Sequence, residues 1–246
     1  MELIISLIIN GLATGMLIFL LAAGVTLIFG LMDVLNFAHG GLFVWGAYTG
    51  IFAYASTNSF TIGIIMALLT GAILGFITEK LIITPVYGNH VQQILITLGL
   101  MIVLSECIKV VFGPNGIPVS VPPLLAGSWE VGNIVIIKYR IFIIVIGFMI
   151  YGLFHYILTR TKIGLIVRAG VMNKEMVQAL GINIKRVFLY VFMVGAALAA
   201  LGGVLMAPYS GVIYAEMGME YAILGFIVVV IGGMGSYSGT LLAAIL

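Results

Sequence analysis

The chain has 246 residues, of which 63% are hydrophobic and only 7% charged. Soluble domains run near 45–50% apolar and about 25% charged, so too little charge remains to cover a water-facing surface, and a soluble enzyme is excluded. A net charge of +2 carries no nucleic-acid footprint, and a single cysteine, Cys107, excludes an internal disulfide or a cysteine metal site.

Apolar segments bounded by polar or turn residues fall at 3–31, 41–55, 60–78, 91–112, 141–158, 187–207 and 220–234, and an eighth starts at Gly239. A helix rises about 1.5 Å per residue and the hydrocarbon core is roughly 30 Å thick. The pattern therefore predicts an all-α, polytopic membrane bundle of about eight transmembrane helices in one domain, 1–246. The start, Met1-Glu2-Leu3, lacks the positive region of a signal peptide and reads as an uncleaved helix. The last segment, ending at Leu246, spans only ~12 Å and reads as cut short.

The first segment is longer than one crossing needs. Gly24, Thr26 and Gly30 suit a bend that lines a path, and simple tilt accounts for the length equally well. After it comes Leu35-Asn36-Phe37-Ala38-His39-Gly40-Gly41. Asn36 and His39 are polar groups close to membrane depth, and Gly40 begins a pair that permits a tight turn. One reading is a translocation path or gate; the other is an ordinary turn with a capping asparagine. Asp33 reads as an interfacial charge.

Further along, 79–90 holds Lys80 against Glu79, and Glu106 and Lys109 are spaced to pair on one helix. The prolines of 113–133 predict an extended connector. The stretch 160–186 carries Arg160, Lys162, Arg168, Lys174, Lys185 and Arg186 against the single acid Glu175, which places it in the cytoplasm by the positive-inside rule. Counting crossings back puts 79–90 in the cytoplasm and both 113–140 and the N-terminus outside, although Lys138 and Arg140 then carry charge on the external side. Within this basic loop Met172, Met176 and Leu180 recur at i, i+4 and i+8 with Val177 alongside, and Gly181 ends the helix. Such an amphipathic helix either lies on the membrane surface or enters a groove on a partner.

The run Gly195-Ala196-Ala197-Leu198-Ala199-Ala200-Leu201-Gly202-Gly203 suits close helix packing. Four Gly-x-x-x-Gly pairs, 11/15, 46/50, 71/75 and 235/239, are about what this glycine frequency yields by chance. Glu216 and Glu220 form an acidic pair near an external loop and read as solvated. No catalytic motif occurs: there is no His-Glu-x-x-His, Gly-x-Ser-x-Gly or phosphate-binding Gly-x-x-x-x-Gly-Lys. The chain supplies no catalytic residue, metal site or cofactor site, and nucleotide-driven transport would need ATP on another chain.

Gly24-Val25-Thr26-Leu27-Ile28-Phe29-Gly30, then Asn36-Phe37-Ala38-His39-Gly40 and Gly46-Ala47-Tyr48, resemble the permease subunits of branched-chain amino acid ABC importers. Asn173-Lys174-Glu175 with Ala179-Leu180-Gly181-Ile182-Asn183 resembles that family's cytoplasmic loop, with Glu175 and Gly181 six apart and Met176 and Val177 standing where alanines are usual. Gly232-Gly233-Met234-Gly235-Ser236 followed by Gly239 is similar to its glycine-rich turn, while Gly41 occupies a position where many relatives carry an acid. The resemblance spans nearly the whole chain. It implies a multi-pass subunit of a bacterial inner membrane that pairs with a second permease chain, identical or paralogous. Cytoplasmic ATP-binding subunits and an external substrate-binding protein complete the importer. It also implies that Met172, Glu175, Met176, Leu180 and Gly181 couple to the ATPase. Urea and short-amide permeases share these motifs. A stand-alone secondary transporter or channel is the other class, and its ion coupling would fall to Asp33, His39 or Glu106.

Overall fold

A computed structural model of the protein describes residues 2–131 and 134–246. Among them are ten α-helices: α1 (Glu2–Met32), α2 (His39–Thr57), α3 (Phe60–Thr78), α4 (His90–Phe112), α5 (Lys138–Arg160), α6 (Lys162–Met172), α7 (Lys174–Ala179), α8 (Ile184–Ser210), α9 (Met217–Gly232) and α10 (Tyr237–Ile245). Each of the eight expected apolar segments lies on one of them. The expected number of crossings is not reproduced. Five helices are long and apolar enough to span a membrane: α1, α3 with the turns that follow it, α4, α5 and α8. A sixth span results if α9 and α10, which meet at 116°, form one broken pair.

Two local features account for the lower count. The sequence of α2 is diluted by glycine, threonine, serine and tyrosine, and its first residue sits deep in the bundle. A Cβ on Gly24 would come within 2.6 Å of the His39 imidazole. Gly24 lies eight residues before the end of α1, roughly 12 Å along its axis. Chain 33–38 therefore runs back inward before α2 starts. Between α9 and α10, Gly233 and Gly235 take left-handed backbone angles of +86° and +85°, and Gly232 then meets Gly239 across the turn. α10 returns antiparallel to α1, with Gly235 beside Gly30 and Ala244 beside Gly15.

α1 is the axis of the bundle. Its apolar window is 83% buried, against 22% for α3 and for α4 and 11% for α5. α8 packs along α1, α2 and α3 through its small-residue run. A Cβ added to Gly46, Gly71 or Gly203 would collide with the backbone of Ala200, Ala196 or Phe43 respectively, so these helices touch main chain to main chain. In lipid, where water offers no drive for helix association, such contact carries the packing energy. Two of the Gly-x-x-x-Gly pairs, 46/50 and 71/75, thus serve packing within the chain, which their count could not reveal.

α6 and α7 lie at one end of the bundle, the basic end. The other end is not purely helical: β1 (Ile117–Pro118) pairs antiparallel with β4 (Val212–Ile213), and β2 (Ser128–Val131) with β3 (Ile134–Ile137). The expected extended connector of 113–133 corresponds to these ribbons and a short 3-10 turn at Pro123–Leu125, its last two residues lying outside those described. Arg140 is held there by the Asn10 side chain and lies 5.9 Å over the Tyr209 ring, so its charge is locally satisfied.

Candidate functional site

The hinge between α1 and α2 is the first element of the site. Asp33 ends α1 in a left-handed conformation at φ 56°, its N–H bonded to the Phe29 carbonyl at 2.9 Å. The chain that follows leaves the helix, turns at Phe37 and Ala38, and borrows partners from α4. The Leu35 N–H donates to Gln93 Oε1 at 3.4 Å, and the Phe37 N–H donates to Thr97 Oγ1 at 3.1 Å. Gln93 and Thr97 are themselves buried. Phe37 stacks on Phe226 of α9 at 4.5 Å between ring centres, and Gly40 lies against the Gly218 carbonyl. Residues from α1, α4 and α9 thus converge on one short break.

Inside this break Asn36 and His39 are 2% and 0% exposed. Neither the amide group of Asn36 nor either ring nitrogen of His39 has a hydrogen-bond partner among the described residues. The Leu21 backbone faces the imidazole without hydrogen-bond geometry. An unpaired buried polar group costs roughly 1–3 kcal/mol, so native interiors seldom keep one without a use. Gly40 is buried as well. The structure brings all three candidate residues of this region together at the centre of the bundle.

Beneath the hinge a second apolar core, separate from the main one, joins parts distant in sequence. It gathers Ile28, Leu31 and Met32 of α1, Val34 of the hinge, Ile83 after α3, Val167 of α6, Val177 of α7, and Ile184, Phe188 and Phe192 of α8. This core is the physical connection between the basic loop and the hinge, and periodicity within single segments gave no sign of it.

The basic loop differs from expectation in one respect. The stripe Met172, Met176, Leu180 is not carried on one helix, because the chain breaks at Asn173. The Asn173 N–H closes α6 on the Ala169 carbonyl, its backbone extends (φ −157°, ψ 100°), and its side chain accepts from the Met176 N–H at 2.9 Å to cap α7. Asparagine competes for backbone partners in this way and favours caps over helix interiors. Val177 also departs from the outward stripe: it is 2% exposed and fills the second core. Met172, Met176 and Leu180 remain outward at 88%, 59% and 73% exposure. Gly181 follows at φ +80°, its N–H bonded to Gln178 O while Ile182 N–H reaches Val177 O, a Schellman closure that requires a left-handed residue. Glu175 is exposed in the first turn of α7, where a negative charge complements the helix dipole.

Sequence reasoning missed Glu79. It sits in a π-helical turn (Glu79–Ile83) that prolongs α3, and it is buried, accepting from the Tyr87 hydroxyl at 2.7 Å and the Thr84 hydroxyl at 3.2 Å. Burial, and then the Glu79 carboxylate, push the Tyr87 hydroxyl well above its ordinary pKa. Thr26 and Thr240 form another buried pair at 2.8 Å, tying α1 to α10.

Of the groups considered for ion coupling, Asp33 is exposed 3.5 Å from His90. Glu106 pairs with Lys109 at 2.8 Å, as spaced, and Lys109 also binds Glu216 at 2.8 Å, holding that carboxyl below its ordinary range. Glu220 accepts from the Tyr214 hydroxyl and raises it to about 12. The acidic pair is thus partnered separately, and no cluster of three metal-ligating side chains occurs among the described residues.

The family model for the permease component of branched-chain amino acid transport systems matches residues 7–246. The chain belongs to this family. The branched-chain amino acid permease BraD of Pseudomonas aeruginosa is 30% identical over 254 residues, covering 97% of this chain and 82% of that protein. The permease LivH of Escherichia coli K12 is 27% identical, with 96% and 81% covered. The tyrosine transport system permease protein of Clostridioides difficile R20291 is 28% identical, with 92% and 72% covered. No solved structure gives a significant match.

Proposed function

We propose that this chain is the membrane subunit of an ATP-driven importer of amino acids with apolar side chains, moved by an ATPase that docks on α6 and α7. The observation that carries the reading is the surface formed by Met172, Met176 and Leu180. Three large apolar side chains stand exposed on a polar loop flanked by basic residues. Exposed apolar residues rimmed by charge mark a contact with a protein or a membrane surface, and membership of this permease family favours the protein. Glu175 and the turn at Gly181 complete that contact.

On this reading the basic end faces the cytoplasm of a bacterial inner membrane and the N-terminus faces outward. A second permease chain, identical or paralogous, completes the path, and an external binding protein delivers the substrate. ATP stays on the partner ATPase. Its closure moves α7, the second core carries that motion to the end of α1, and the hinge shifts Asn36, His39 and Gly40 between two arrangements. Such a switch needs contacts that differ between the states. Unpartnered in the present arrangement, Asn36 and His39 gain partners, from protein, water or a zwitterionic substrate, in the other.

The names of the relatives divide between branched-chain amino acids and tyrosine, which share a zwitterionic head and a bulky, uncharged side chain. Urea and short amides are the alternative substrates. Glu175→Ala and Gly181→Leu test the reading. Both are expected to reduce co-purification of the ATPase and substrate uptake while the chain still inserts in membranes. Normal ATPase association in both variants would overturn it.

A further inference from the structure

At the basic end, the end of α3 with the turns that follow it and the start of α8 enclose a cleft of about 510 Å³. Three cations line it: Lys80, Lys185 and Arg186. Lys185 and Arg186 are exposed and make no ion pair among the described residues, and the Lys80 ammonium lies 5.3 Å over the Phe76 ring. Glu79 is the one acid in the lining. It is buried, with one carboxylate oxygen already taking the hydroxyls of Tyr87 and Thr84. Three outward cations over one inward, hydrogen-bonded carboxylate leave the cleft mouth positive.

The apolar part of the lining is Phe76, beneath the Lys80 ammonium, and Leu189, one turn beyond Lys185 and Arg186. Phe76 also belongs to an exposed stripe on α3 that runs through Ile62, Ile65, Met66, Leu69 and Ile73 at helical spacing. The fourteen helical steps from Ile62 to Phe76 cover about 21 Å, longer than the ~15 Å depth of one leaflet's hydrocarbon. A basic cleft at the head of such a stripe matches an amphiphile with an anionic head and a long apolar tail.

We propose that this cleft binds an anionic phospholipid, its phosphate held by Lys80, Lys185 and Arg186 and one acyl chain laid along α3. Arginine offers a planar fork to phosphate and lysine a point charge, both charge-assisted. Basic clefts between helices at a membrane interface take anionic headgroups for this reason. A zwitterionic lipid brings its own ammonium toward three cations and is disfavoured. Neither sidedness nor the identity of the transported substrate enters this assignment.

The test uses phosphatidylglycerol carrying a photoactivatable acyl chain, in membranes containing the chain with its natural partners. Peptide mapping is expected to find cross-links along α3 up to Phe76. Unlabelled phosphatidylglycerol displaces the probe; phosphatidylcholine and inorganic phosphate do not. Lys80→Gln, Lys185→Gln and Arg186→Gln together reduce labelling at least tenfold. Lys80→Arg with Lys185→Arg retains it, so a fold defect in the neutral variant is recognised by its thermal midpoint and replaced by Arg186→Gln alone. Equal labelling by a phosphatidylcholine probe, displacement by free phosphate, unchanged labelling in the neutral variants, or labelling abolished by bound ATPase would each overturn the proposal. The last result would assign the cleft to protein contact.

Discussion

Val177→Ala isolates the link between the basic loop and the bundle. α7 has six residues, far below the length at which an isolated helix persists in water. Its docking therefore rests on what it buries. Val177 is 2% exposed within the second core, whereas Met176 and Leu180, its neighbours in sequence, stay outside. The substitution deletes two methyl groups, each worth about 0.8 kcal/mol, and the cavity left behind raises the loss to roughly 2 kcal/mol. At about 1.4 kcal/mol per tenfold, the undocked population of α7 rises roughly 30-fold. Amide hydrogen exchange over 174–182 reads this change: protection falls by a similar factor, while that of α1 and α8 within the membrane is unchanged. Met176→Ala serves as the partner experiment. It leaves exchange in the isolated permease untouched and weakens ATPase association. Unchanged exchange in Val177→Ala would refute the view that the second core holds α7 in place.

Other expectations concern packing, the hinge and pH. Gly203→Ala forces a methyl into the Phe43 carbonyl and is expected to cost about 1–3 kcal/mol, read as a lower thermal midpoint in detergent. Gly11→Ala meets nothing within 4 Å and should stabilise by up to about 1 kcal/mol through helix propensity; equal effects of the two substitutions would contradict the packing described. Asn36→Leu removes a buried polar side chain that has no partner, so stability is expected to hold or rise while uptake collapses; a large loss of stability would mean that Asn36 is structural. Glu216, its pKa depressed mainly by the hydrogen bond from Lys109, contributes stability that is present above its unfolded pKa of about 4.5 and is lost as pH falls through the folded value. Solvent screens this ion pair, so the loss is small, and Glu216→Gln should flatten the fall in thermal stability below pH 4.5.

Much of this fold is legible in composition, because a bilayer rewards long apolar runs directly. Each apolar segment became a helix for that reason. The number of crossings was not legible, since apolar length does not report where a helix starts: α2 begins beside Gly24, deep in the bundle, and α9 and α10 bend by 116° at glycines of positive φ. At the hinge, Asn36, His39 and Gly40 stand out as polar or flexible residues at membrane depth. Their support by Gln93 and Thr97, about 60 positions away, leaves no local trace. In the basic loop the spacing of Met172, Met176 and Leu180 identified the outward surface but implied one unbroken helix. Asn173 breaks it, and Val177 turns inward because the second core draws on six segments that no single window contains. Glu79 escaped notice because a charge beside Lys80 reads as a solvated loop; only the π-helical turn buries it.

Site-specific cross-linking from α7 tests the central claim most directly. In a Cys107→Ser background, Met176→Cys and Met172→Cys are placed in cells making the whole importer and treated with a bifunctional thiol reagent that crosses the membrane. Both positions are expected to cross-link to the ATP-binding subunit and to resist membrane-impermeant reagents added outside the cell, while Ile62→Cys on the α3 stripe yields no ATPase adduct. Modification of Met176→Cys from outside, without any ATPase adduct, would place this surface beyond reach of the partner that the account requires.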